Sequence, residues 1–293
     1  MQPHTSYLIC GTPRSGSSLL CEALINTGIA GQPEEYFLPQ NECIWQERWG
    51  TSTYSEYLAS TIKQCTTPNG VFGAKMMWAY FDNFVHKVRQ AYANQAVPSP
   101  DLMASIFPNL HCIWIKRNDK VRQAISQAKA IQTNQWKMVT ETNSLLTVRP
   151  RFSFKQIDFT VQQFEAEEAA WAHYFATNGI QPFIVVYEDF VQQYEETAIK
   201  ILEYLNIPGI GNLAFAPRQM HKQADEESER WIQRYHYLKA KSGVHCFVSH
   251  TNGLLLTFLS STRVGQFLYK RHMFGRKPTS ANRAKPPRDL VKV

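Results

Sequence analysis

The 293-residue chain has no apolar run near the roughly 20 residues that a membrane-spanning helix needs. The longest candidate, GLLLTFL at 253–259, is far too short. The first residues carry no charged-then-apolar stretch that reads as a secretory leader. Six cysteines stand at 10, 21, 43, 65, 112 and 246, and none forms a CxxC pair, which argues against a cysteine metal cage. Cys10 and Cys112 sit in apolar strand-like runs and read as small core residues. Reduced thiols of this kind fit a cytoplasmic location. Nine histidines show no metal-ligand spacing; His111 and His173 are expected to be hydrogen-bonded structural residues. Internal repeats and low-complexity blocks are also missing.

Charge is abundant but uneven. Residues 1–236 hold 20 Lys+Arg against 23 Asp+Glu, a balance of −3, whereas residues 237–293 hold 11 against 1, a balance of +10. The body is mildly acidic and the tail strongly basic. Such a tail can meet an anionic membrane surface or polymer, or remain a solvated extension. Its expected form is partly helical or disordered.

Strand-like and helix-like segments alternate. YLIC at 7–10, GVFGAKMMW at 70–78, LHCIWIK at 110–116 and FIVVY at 183–187 read as strands. A helix is expected from Ser17 or Ser18, with Leu20, Ala23, Leu24 and Ile29 inward. Another follows Asn118 or Asp119 as N-cap, carrying Val121, Ala124, Ile125 and Ala128 on one face. A third covers about 160–177, with Val161, Phe164, Glu168, Trp171 and Phe175 near one stripe and Gly179 just past its end. A fourth covers 195–205. The pattern predicts an α/β fold with a parallel sheet and helices on both faces. Ligands of such sheets bind beyond the carboxyl ends of the strands, here after residues 10, 76, 116 and 187.

The first of these loops is GTPRSGSS at 11–18. Its backbone N–H groups and the helix start behind them suit an anion. Arg14 brings a fork of donors, Ser15, Ser17 and Ser18 bring hydroxyls, and Gly16 allows close backbone approach. Gly11 and Gly16 have the spacing of a nucleotide kinase loop, but Ser17 stands where that motif has lysine. The strand at 110–116 ends in Lys116 and Arg117, with no Walker-B aspartate. Arg117 and Ser126, nine residues on, can converge on a second phosphate. One ligand with phosphate at both ends would use both sites, and 3′-phosphoadenosine 5′-phosphosulfate (PAPS) is such a ligand.

Together these segments resemble the sulfotransferases, and more closely the bacterial trehalose 2-sulfotransferase family of carbohydrate sulfotransferases. The resemblance runs through YLICGTPRSGSSLL, GIAGQPEEYF at 28–37, NGVFGAKMMW at 69–78, KRNDKVRQAISQAKAIQTNQW at 116–136, VVYEDF at 185–190 and KQADEESERWIQRY at 222–235, in family order. It implies a sulfotransferase fold, a P-loop-like central parallel sheet flanked by helices, in a domain over 1–236. The basic extension 237–293 has no counterpart in compact members.

It further implies PAPS as co-substrate, no metal, a carbohydrate or glycolipid acceptor, and a homodimer. Nucleic acid is not expected as a partner. The location implied is cytoplasmic, with the tail allowing a peripheral position at the inner membrane surface. Arg14, Ser15, Gly16, Ser17 and Ser18 would hold the 5′-phosphosulfate. Arg117 and Ser126 would hold the 3′-phosphate. Glu35 would be the general base, and the segment around 218–234 would close over the nucleotide.

Lys75 can add positive charge near the transferring group. Gln32, Glu34 and Trp136 are candidates on the acceptor side, and Trp45, Trp49 and Trp78 lie in or beside the matched segments. Gln32 stands where trehalose-binding members carry an acidic residue, which leaves the acceptor open. Two other readings stay in play: a Mg-dependent small-molecule kinase, and a relative that binds the nucleotide without turnover.

Overall fold

The computed structural model describes residues 2–92, 97–136, 149–220 and 225–241. Most of the basic extension, 242–293, therefore lies outside the described residues. Four strands form one parallel sheet: β1 (Thr5–Gly11), β2 (Val71–Met77), β3 (Leu110–Lys116) and β4 (Phe183–Val186), in the order β2-β1-β3-β4. β1 and β2 are buried along their whole length, as expected of strands covered on both faces.

The helices are α1 (Ser17–Ile25), α2 (Glu42–Trp49), α3 (Tyr54–Cys65), α4 (Trp78–Ala91), α5 (Ser99–Ile106), α6 (Lys120–Thr133), α7 (Phe154–Thr177), the single turn α8 (Tyr187–Phe190), α9 (Tyr194–Tyr204) and α10 (Glu226–Lys241). Strand side chains alternate between faces. Tyr7, Ile9, Ile113 and Ile115 pack with Leu20, Leu24, Ile201 and Leu202 of α1 and α9. Leu8, Cys10, Phe72, Cys112 and Trp114 pack on the other face against α3, α4, α5 and α7. α6, the start of α7 and α10 make a third cluster around Phe164 and Trp231.

Local signals account for several element ends. Asp119 caps α6 by accepting from the Arg122 N–H at 2.8 Å, as its position predicts. Gly179 takes the left-handed conformation past α7, at φ 64°. Ile29 lies beyond the end of α1 rather than within it, although it still packs on that core. Two other expectations need correction. The Nε2 of His111 has no hydrogen-bond partner among the described residues; its ring instead packs edge-on to Tyr204. In α7 the stripe runs through Glu167, not Glu168. At 100° per residue, 160, 164, 167, 171 and 175 share one face, and 168 falls toward its edge. Glu168 is partly exposed and pairs with Lys120 at 2.5 Å.

Glu167 is 3% exposed, and burial pushes its carboxyl up to about 7 against an ordinary 4.5, with a hydrogen bond from Gln163 opposing. The folded chain thus holds this proton more tightly than the unfolded chain. Its contribution is complete below about pH 4.5 and is lost as pH rises through about 7. The shift corresponds to roughly 3 kcal/mol. Glu167→Gln, which keeps the acceptor oxygen, should remove this slope. Urea melts at pH 5 and pH 8 should show the variant gaining on the parent by up to about 3 kcal/mol at the higher pH.

Candidate active site

The carboxyl ends of β1, β2 and β3 meet where the loop 12–16 turns into α1. One glycine and one strained residue shape this turn. Gly16 has φ 96°, and a Cβ there would lie 2.3 Å from the Tyr187 ring. Arg14 is itself left-handed, at φ 63°. Strain of this sort persists only where the surroundings hold it. Here Arg117 donates to the Arg14 carbonyl at 3.1 Å, and Gln123 donates to Thr12 Oγ1 and the Pro13 carbonyl, each at 2.7 Å. From behind, the Trp171 indole donates to the Gly11 carbonyl at 3.0 Å.

The residues of the two sequence-predicted anion sites lie next to each other. Arg14 Nε donates to Ser126 Oγ at 2.9 Å, so the first loop touches the residue assigned to the second phosphate. An Arg14 terminal nitrogen donates to the Trp136 carbonyl at 2.6 Å. Trp136 thus joins the arginine side of the site through its backbone, while its ring is exposed. Arg117 stacks on the Tyr187 ring at 4.5 Å.

Burial, then the neighbouring Arg117 charge, pushes the Arg14 guanidinium down to about 10. Burial likewise lowers Arg117, against the pull of Tyr187 and Glu188. Two guanidinium groups held close in a dry turn favour an anion between them. Ser15 Oγ and Arg117 Nε are buried with no hydrogen-bond partner among the described residues. Orphan donors are costly when buried, and phosphate oxygens would satisfy both. The residues present therefore fit a nucleotide phosphate group.

The second half of the site is built on β2. Lys75 shares the face of Val71, which α1 covers. It is 4% exposed, and its Nζ lies 2.8 Å from Glu35 Oε2 and 3.1 Å from Ser18 Oγ in the first turn of α1. Burial alone would lower this lysine, but the pull of Glu35, with Cys21 and Glu34, leaves it raised and charged. The Lys75 N–H donates to the Glu34 carbonyl at 2.9 Å, which fixes the 34–35 segment alongside the strand. Glu34 Oε2 accepts from the Glu35 N–H at 3.4 Å. Gln32 stands apart: its side chain is exposed and makes no hydrogen bond among the described residues.

Trp45 and Trp49 stack on each other at 5.1 Å and pack against Tyr36, and Trp78 packs on Trp171, so all three belong to the core cluster. Of 218–234, the described part of α10 docks on α6, the helix carrying Ser126. Lys129 pairs with Asp225 at 2.6 Å, and Arg122 pairs with Glu229.

Sequence reasoning missed Tyr187, Gln123, Trp171 and Tyr80. Tyr187 is the residue just after β4, at the strand end where chemistry was expected; its aromatic type carried no signal. Glu188 beside it accepts from the Asn118 and Asp119 N–H groups at 3.1 and 3.2 Å, holding the loop after β3.

Two trehalose 2-sulfotransferases are similar to the chain. That of Mycolicibacterium smegmatis is 26% identical, over 79% of this chain and 94% of its own length. That of Mycobacterium tuberculosis strain Erdman is 28% identical, over 78% and 93%. Among solved structures, the sulfotransferase domain of the Synechococcus PCC 7002 olefin synthase aligns over 92% of this chain and 95% of its own, at 11% identity and a TM-score of 0.40. That backbone likeness is too loose to add to the sheet order itself. Residues 6–237 match the profile of the Stf0 sulphotransferases, and the match takes in both halves of the site. The chain belongs to the Stf0 sulfotransferase family.

Proposed function

We propose that this protein moves a sulfuryl group from PAPS to a hydroxyl of a carbohydrate or glycolipid, with Glu35 as general base. The observation that carries the reading is the bridge Ser18–Lys75–Glu35, which joins the anion loop to a carboxylate. The similarity to two trehalose 2-sulfotransferases supports the carbohydrate class of acceptor.

PAPS, when bound, supplies the sulfuryl group and leaves as adenosine 3′,5′-bisphosphate. Ser15, Gly16, Ser17 and Ser18 would line its 5′ end, with the α1 N–H groups behind them. Arg117 and Ser126 would hold the 3′-phosphate. Arg14 would span the two ends, because it reaches Ser126 from the 5′ loop. Lys75 would place a fixed cation where negative charge gathers as the bond to sulfur breaks. Glu35 would take the proton of the attacking hydroxyl. No step here asks for a metal ion; fixed cations and N–H dipoles fill that role.

Incubation with radiolabelled PAPS and a panel of glycans and glycolipids should transfer label, and the rate should survive EDTA. Transfer of label from γ-labelled ATP that requires Mg²⁺, with none from PAPS, would select a kinase. Tight adenosine 3′,5′-bisphosphate binding without label transfer would mark a relative lacking turnover.

A further inference from the structure

Tyr80 stands in the first turn of α4, directly after β2. It is buried, and its hydroxyl donates to Glu35 Oε1 at 3.1 Å and lies 3.4 Å from the Lys75 carbonyl. The Glu35 carboxylate is therefore gripped at both oxygens, by Tyr80 on Oε1 and by Lys75 on Oε2. Glu35 needs such a grip. It lies in a loop, in neither helix nor strand, and its side chain is only half-buried.

We propose that Tyr80 is a positioning residue for the reaction, setting the rotamer in which Glu35 meets the acceptor hydroxyl. The inference rests on the reading of Glu35 as general base. Each carboxylate oxygen has two lone pairs, so one bond to each leaves capacity for the substrate proton. A base must sit within hydrogen-bond reach of that proton, and small misplacement is costly.

Tyr80 itself stays a donor. Burial raises its phenol well above the ordinary value, with the Glu35 charge adding to this and the Met77 backbone opposing. The titratable groups acting on the clamp are Glu35 and Glu34 from the loop, Lys75 from β2 and Cys21 from α1. Lys75 is the cation among them and cannot be replaced by Tyr80, since one supplies charge and the other direction.

The test is Tyr80→Phe, which keeps the ring and removes the donor. The expected kcat falls about tenfold with KM for PAPS within about twofold, because only the base is misplaced. A hydrogen bond to a carboxylate favours its charged form, so the acid limb of the pH–kcat profile should move up. In a Glu35→Gln background, the same change should have no further effect on kcat. Incorporation of 3-fluorotyrosine at position 80 keeps the shape, makes the phenol a stronger donor, and should move the limb the other way. This variant also serves if Tyr80→Phe fails to fold.

Three results would overturn the inference. One is a kcat and acid limb unchanged in Tyr80→Phe. A second is a drop in melting temperature with no movement of the limb in either variant. The third is a tenfold loss that persists on top of Glu35→Gln. Failure of the underlying reading looks different: Glu35→Gln alone would keep full turnover.

Discussion

Glu35→Gln is expected to lower kcat by roughly 10²–10⁴-fold, the range that a positioned general base contributes. The substitution is nearly isosteric. Its amide can still accept from Tyr80 or face Lys75, but it cannot take a proton. The anion loop is untouched, so the affinity for adenosine 3′,5′-bisphosphate should stay within about twofold, since no donor to the phosphates is removed. Single-turnover label transfer and calorimetric titration of the variant measure the two quantities separately. Lys75 makes the calorimetric arm more informative. With its ion-pair partner gone, the buried cation is left uncompensated. An anion at Ser18 would then bind slightly more tightly, not less. A large loss of nucleotide affinity would mean that Glu35 holds the loop together and is not the base.

Arg117→Ala should act on the opposite quantity. Arg117 donates to the Arg14 carbonyl, and its buried Nε has no partner among the described residues. Losing a charge-assisted, forked contact of this type costs about 2–3 kcal/mol, or roughly 30–150-fold in nucleotide affinity. The loss should be read as a rise in KM for PAPS and a weaker response of binding to salt. Arg117→Lys should recover only part of it, because an ammonium offers a point charge where the guanidinium offers a fork and a face for Tyr187. Arg14 sharpens the test further. Without Arg117, its backbone loses a partner but its guanidinium loses a like-charge neighbour. If affinity is unchanged in Arg117→Ala, the arginine pair is not the nucleotide site.

Some of this was legible in the sequence. The strand–turn–helix around GTPRSGSS was, because its three parts are contiguous along the chain. The four strands were, because apolar runs buried on both faces look alike in any parallel sheet. The convergence of Arg117 and Ser126 was, because a strand end and the next helix are close neighbours along the chain, and both touch Arg14. The physical grip on Glu35 was not. Tyr80 lies 45 residues from Glu35 in sequence, and nothing in GIAGQPEEYF says which strand it will lie beside. Helices α2 to α5 were also missed, although the T-x-x-E of Thr53 and Glu56 forms a capping box whose signature is local. The burial of Glu167 was hidden for a different reason. Its type argues for solvent, and only the fixed phase of α7 against β1 and α6 puts it inside.

The placement of Lys75 on the α1 side of the sheet has a consequence for which length changes this chain can tolerate. Along β2, Val71 packs in the α1-side core and Lys75 shares its face, whereas Phe72, Ala74 and Met76 lie in the aromatic core, where Met77 joins them at the strand end. An insertion or deletion of one residue between Gly70 and Lys75 would turn the lysine into the core and send Met76 toward the loop, without necessarily abolishing the strand. A change of two residues would keep the facing but move the charge by about 7 Å along the sheet. The strand thus fixes both the side of the sheet that Lys75 faces and its distance from Ser18.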